Sequence, residues 1–176
     1  MIQYNNQNAI LCSLHENKDR YVASRVISEL FRPYQVTVTG TGLTCPVDLT
    51  GTVDCGDKVG KFNVEVKSRR KSPEKLAKYP NYELRVDKLE RMMSVTPTDT
   101  LGLYMVLLNE EKAIVYNLKL IDWNTVNVFN WRIKEVQVDP NSSYRYYPTY
   151  SLPENLSVAT VDIKDYIIDY YKQKIA

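Results

Sequence analysis

The sequence predicts a mixed α/β chain with a central sheet and helices packed against it. Three observations predict it. In "DRYVASRVISELF" (19–31), Val22, Val26 and Leu30 recur every four residues, the spacing of one helix face. Residues 46–54 and 61–68 each alternate apolar and polar side chains around a Gly-Asp pair, as two strands of a hairpin would. "LGLYMVLL" (101–108) is continuously apolar, which suits a central strand covered on both faces.

The remaining elements follow in chain order. Asp19 lies near the expected start of the first helix, and Pro33 stops it. "YQVTVTG" alternates and reads as a strand ahead of the hairpin. "ELRVDKLERMM" (83–93) reads as a helix turning Leu84, Leu89 and Met92 or Met93 inward. "LGLYMVLLN" and "KAIVYNL" read as buried strands joined by a tight "NEEK" turn, and "WRIKEVQVD" as a further strand. "DIKDYIIDYYKQK" closes the chain as an amphipathic helix. With no internal repeat, the 176 residues fit one domain (1–176), its core at about 19–117 and a C-terminal extension at about 118–176.

Composition narrows the function classes. The 44% hydrophobic and 25% charged residues are an ordinary globular balance, and the longest apolar run is too short to cross a bilayer. The N-terminal stretch has no basic n-region or small-residue cleavage site. Cys12, Cys45 and Cys55 are odd in number and lack C-x-x-C spacing, which points to reduced thiols and a cytoplasmic location. His15 is the only histidine, so a histidine metal cage is excluded. No G-x-S-x-G, Cys/His or P-loop pattern is present, and Gly40-x-Gly42 is a turn between strands. Net charge is only +2, yet residues 58–91 hold eleven Lys/Arg against five Asp/Glu. A basic stretch of that kind is a footprint for phosphates, although alone it would more often be a solvated face.

The Gly-Asp pair sets a register. If Gly56-Asp57 is a two-residue loop, facing residue numbers sum to 113, and Asp48 lies opposite Glu65. Asp48, Thr50, Glu65 and Lys67 then share one face, and Val47, Leu49, Phe62, Val64 and Val66 the other. Two facing carboxylates repel unless a cation bridges them. Removing either one should therefore relieve repulsion without loss of stability. Carboxylate oxygens suit a hard ion, Mg²⁺ or Mn²⁺. Lys67, on the same face, is placed to orient or help deprotonate an attacking water and to stabilise growing phosphate charge. An isolated E-x-K, by contrast, is usually just the polar side of a strand.

Pro46-Val47-Asp48-Leu49, a glycine-containing turn and Val64-Glu65-Val66-Lys67 together resemble the PD-(D/E)XK nuclease superfamily. In look they are closest to its Holliday-junction-resolvase-like and small phage or intron-encoded members. The resemblance spans residues 19 to about 117. It implies a restriction-endonuclease-like core (αβββαβ), a mixed sheet flanked by helices, and Mg²⁺- or Mn²⁺-dependent cleavage of DNA or RNA. It assigns catalysis to Asp48, Glu65 and Lys67 and metal binding to Asp48 and Glu65. Family members also carry an acidic residue on the first helix, for which Glu29 is preferred over Asp19. DNA is the expected partner, in the cytoplasm, or in the host cytoplasm for a phage-encoded chain. A catalytically inactive nucleic-acid-binding or assembly protein that keeps the fold is the alternative.

Other residues follow from position. Ser68, Arg69, Arg70 and Lys71 leave the Glu-x-Lys strand where they could clamp phosphates, and Lys88 could turn toward the same face. Tyr144, Tyr146, Tyr147 and Tyr150 offer a stacking surface for bases or, equally, a packed loop. Cutting two strands takes two sites, so a homodimer is expected. Its candidate surface is Trp123, Phe129, Trp131, Tyr166, Ile167, Tyr170 and Tyr171, with packing of the last helix on its own domain as the equal alternative.

Overall fold

The computed structural model describes residues 6–42, 45–134 and 144–175, with side chains over 15–42, 45–131 and 146–174. The chain runs α1 (Asn6–Leu30), β1 (Gln35–Gly40), β2 (Leu49–Asp54), β3 (Val59–Arg69), α2 (Pro73–Lys78), β4 (Tyr82–Arg85) and α3 (Val86–Ser94). It continues with β5 (Thr100–Leu108), β6 (Lys112–Asn117), β7 (Val128–Lys134), β8 (Tyr144–Leu152), β9 (Ala159–Asp162) and α4 (Lys164–Ile175). The expected order of helix, three strands, helix and strand is there, with α2 and β4 inserted before α3.

Six strands form the main sheet in the order β1-β2-β3-β5-β6-β9, antiparallel except for the parallel pair β3–β5. β5 is interior and almost wholly buried, as its apolar run predicts. The hairpin register is the expected one: Leu49 faces Val64 and Asp54 faces Val59. Cys55 N–H donates to the Lys58 carbonyl at 2.9 Å, closing the Gly56-Asp57 loop, and Gly56 takes a φ of 89° that favours glycine. Gly51 is needed for another reason: a Cβ there would sit 2.1 Å from the Thr37 carbonyl oxygen and 2.4 Å from the Phe62 ring.

One face of the sheet packs against α1 and α4. Val22, Ala23, Val26 and Ile27 of α1 meet Leu49, Phe62, Val64, Leu103, Met105 and Val115, with Ile163 and Ile167 alongside. Each such buried aliphatic side chain contributes roughly 1.5–3 kcal/mol. The other face packs Tyr104, Val106, Ile114 and Tyr116 against Leu89 and Met92 of α3 and against a second, three-stranded sheet ordered β4-β8-β7.

Three expectations are corrected. Residues 82–85 are a strand, not the first turn of a helix, because Tyr82–Arg85 pair with Leu152–Thr149 of β8. Leu84 is buried as expected, but from β4. The tyrosine-rich segment is strand β8, not a loop; its ladder with β4 stops at Thr149, one residue before Pro148, which has no N–H to give. Val47 joins the cluster of Tyr104 and Leu89 rather than that of Leu49 and Val64. β9 adds to β6 and α4 packs on α1, so residues beyond 118 complete both sheets. Among the described residues no helix is long and apolar enough to cross a membrane.

Candidate active site

Val47 changes sides because the chain bulges at Asp48. The β2–β3 ladder ends with Leu49 opposite Val64, yet Asp48 N–H also donates to the Val64 carbonyl, at 2.8 Å. Two residues thus face one, and the alternation slips by one position. The Asp48 carbonyl accepts from Thr41 N–H at 3.0 Å, and the Thr41 hydroxyl donates to the Val47 carbonyl. Beyond the bulge no strand among the described residues pairs with β3 on this side. The Asp48 carboxylate fills the gap, Oδ2 accepting from Val66 N–H at 2.8 Å.

Glu65, on the adjacent residue of β3, is 7% exposed. Its Oε1 is 3.0 Å from Lys88 Nζ on α3, while its Oε2 is buried without a hydrogen-bond partner. Burial, and then the neighbouring Asp48 charge, push its pKa up to about 7 against the pull of Lys88. Lys67 is exposed overall, but its ammonium is held below the usual lysine range by partial loss of solvent and then by Arg69. Across the free edge of β3, Asp19 of α1 accepts a hydrogen bond from the Ser68 hydroxyl at 2.5 Å, and its pKa is raised, chiefly by burial.

A cleft of about 270 Å³ gathers Glu16, Asp19, Arg20, Asp48, Glu65, Lys67 and Ser68. A second, of about 330 Å³, lies on the α3 side and shares Glu65 and Lys67, adding Arg69, Arg85, Lys88 and Arg91. Carboxylates outnumber cations in the first cleft; in the second, cations outnumber carboxylates, with Glu83 and Asp87 among them, Asp87 pairing with Arg85 at 2.6 Å and Arg91 at 3.4 Å. Among the described residues no group of three His, Cys, Asp or Glu side chains is placed closely enough to hold a metal ion. The donors nevertheless fit a hard divalent cation: Glu65 Oε2 is an unpartnered acceptor beside a second carboxylate, with Asp19 and Glu16 across the same cleft.

The other expected residues separate. Glu29 does not line this cleft; it lies near the end of α1, 3.2 Å from Arg32, and Asp19 takes the place beside Ser68 instead. Lys88, expected to be able to turn toward this face, reaches Glu65 from α3. Arg69 lies 3.4 Å from Glu83 with its guanidinium 6.0 Å from the Trp131 ring centre, and Arg70 reaches Glu110 at 3.3 Å while staying largely exposed.

Lys71 is structural. Its side chain is 9% exposed, and its ammonium donates to Glu83 Oε1 at 3.0 Å and to the Asn81 and Tyr79 carbonyls at 2.7 and 3.2 Å. Three donors meet three acceptors, so none is left for a phosphate. Lys71→Ala is expected to destabilise the fold by about 2–4 kcal/mol, because it takes from a mostly buried carboxylate the nearer of its two cations and leaves two backbone carbonyls without their donor. The shift of the urea midpoint checks this, and a change under 1 kcal/mol contradicts it.

Of the tyrosines, Tyr146 is exposed, Tyr147 lies under Arg85 at 3.8 Å, and Tyr150 packs on Trp123 with ring centres 4.6 Å apart. The side chain of Tyr144 lies outside the described residues. Ile167 and Tyr170 are buried on the chain's own core, leaving Ile168 and Tyr171 outward on α4. Glu16 and Arg20 were not picked out from the sequence, although Glu16-x-x-Asp19 is helix-face spacing that carried the signal.

No protein-family model matches this chain, and no curated protein matches it in sequence. Among solved structures, a Holliday junction resolvase from the archaeal hyperthermophile Archaeoglobus fulgidus is similar to it at a TM-score of 0.41 and 11% identity. That similarity covers 74% of this chain and 87% of the resolvase.

Proposed function

We propose that this chain is an endonuclease that hydrolyses phosphodiester bonds in DNA with the help of Mg²⁺ or Mn²⁺. The observation that carries the reading is the half-buried Asp48 beside the buried Glu65 with its unpartnered oxygen, two residues from an exposed lysine of lowered pKa on the same strand face. Asp48 and Glu65 would hold the ion, and Asp19 would supply a further carboxylate from α1. When bound, the ion supplies Lewis-acid stabilisation of the phosphate oxygens. Lys67 orients the attacking water or takes its proton, which its lowered pKa favours, and Lys88, Arg85 and Arg91 steady the phosphate charge. Cutting both strands takes two sites, and pairing of two copies through the outward Ile168 and Tyr171 supplies the second.

The non-catalytic reading is favoured by one contact, the Lys88–Glu65 ion pair, which neutralises that carboxylate without a metal. A single experiment separates the two. Supercoiled, linear, single-stranded and branched DNA, with RNA alongside, are incubated with the chain and Mg²⁺ or Mn²⁺ while light scattering reports the copy number. Chelator-sensitive cleavage supports the enzyme; DNA retention without any cut supports the binder. A monomer that makes double-strand cuts in one encounter removes the dimer.

A further inference from the structure

We infer that the groove beyond Arg69 binds an unpaired stretch of nucleic acid, its bases against Trp131, Phe129 and Tyr79 and its phosphates on Arg69, Arg70 and Lys75. This deepens the nuclease reading and rests on it only in making the groove a continuation of that site. The groove is the largest of the clefts described above, about 540 Å³. Arg69 and Glu83 line both it and the cleft holding Glu65 and Lys67, so the two adjoin. Arg69 is two residues past Lys67 on the same face of β3, about 7 Å along the strand.

Two properties of the groove point to this ligand. Phe129 and Trp131 stand on one side of β7 with ring centres 6.0 Å apart and planes 34° from each other. Phe129 is 41% exposed and Tyr79, on the opposite wall, 57%. Large rings left to water on both walls of one groove form a stacking platform. The charge is complementary as well: Glu83, the one carboxylate among the described lining residues, is already held by Lys71 and Arg69. Arg70 is paired only at the surface and Lys75 is exposed, so both remain available to phosphate. Bases of an intact duplex are stacked on one another and have no free faces, so the groove selects unpaired strands.

The test uses the full chain without metal. The protein has two tryptophans, and Trp123→Phe leaves Trp131 as the only emitter. Twelve-residue oligothymidylate should quench that emission saturably, and a closed duplex hairpin of equal length should bind at least about tenfold more weakly. Phe129→Ala, Trp131→Leu and Tyr79→Ala should each lower the oligothymidylate affinity, read by anisotropy of a labelled strand, by about tenfold. Tyr79→Ala lies on a different element from the other two, so it stands in if a β7 variant fails to fold. Binding without quenching, or affinity unchanged by ring removal, overturns the groove. So does light scattering in which the rings prove to be covered by a second copy. Cleavage of duplex DNA without oligothymidylate binding overturns only the groove; binding with quenching but no cleavage of any DNA overturns only the nuclease.

Discussion

Asp48→Asn and Glu65→Gln are each expected to lower Mg²⁺-supported cleavage by about 10³-fold or more, measured as plasmid relaxation at saturating metal. Each removes a negative oxygen from the Asp48–Glu65 pair lining the cleft. Lys67→Ala should cost a similar factor, and Asp19→Asn should raise the Mg²⁺ concentration needed for half-maximal rate. Glu29→Gln should leave both quantities unchanged, since Glu29 faces Arg32 instead. Wild-type cleavage by Asp48→Asn would end the assignment. The choice of asparagine matters. Asp48 Oδ2 accepts from Val66 N–H, a bond an amide oxygen can keep and alanine cannot. Asp48→Ala is therefore expected to lose about 1.5–3 kcal/mol of stability, against the expectation that removing either carboxylate only relieves repulsion.

Metal-free stability should fall as pH rises from about 5 to 8. Glu65 has a folded-state pKa of about 7 against an ordinary 4.5. Across that window the folded state holds a proton that the unfolded chain has released. Its contribution is thus fully present below about 4.5 and is lost as pH rises through about 7. The full loss is roughly 3 kcal/mol, on the order of 5–10 °C in thermal midpoint for a chain of this size. Glu65→Gln should flatten the profile and lie above the parent at pH 8. Because Mg²⁺ binds the ionised form, it should recover the loss at pH 8 and help little at pH 5.5, where each unit below 7 weakens it about tenfold. Equal pH profiles for the parent and Glu65→Gln would show that this carboxyl titrates normally.

The sheet, its register and the meeting of Asp48, Glu65 and Lys67 were legible because period-2 alternation and a Gly-Asp loop are local signals. What was not legible depended on distant partners. β4 is four residues long and looks like the start of α3; only β8, far along the chain, makes it a strand. Lys71 belongs by sequence to a basic run, and its role appears only once β4 brings Glu83 to it. Asp19 looks like a helix cap, so Glu29 looked like the interior acid. α1 instead begins at Asn6, and Asp19 lies mid-helix beside the open edge of β3. The bulge at Asp48 breaks the alternation itself, which is why Val47 was assigned to the wrong face.

The single parallel pair in the main sheet divides the labour of the molecule. β3 and β5 run the same way, and parallel neighbours cannot be joined by a tight turn. The chain must detour through residues 70–99, and this detour brings Arg85, Lys88 and Arg91 to the wall beside Glu65. Glu65 rides on β3, whose register is locked by its neighbours. Lys88 and Arg91 ride on a passage whose length and charge the main-sheet ladders do not dictate. On the nuclease proposal, a lineage can lengthen, shorten or recharge that passage while the acidic pair stays in place, leaving the choice of substrate free to drift at little cost to the chemistry.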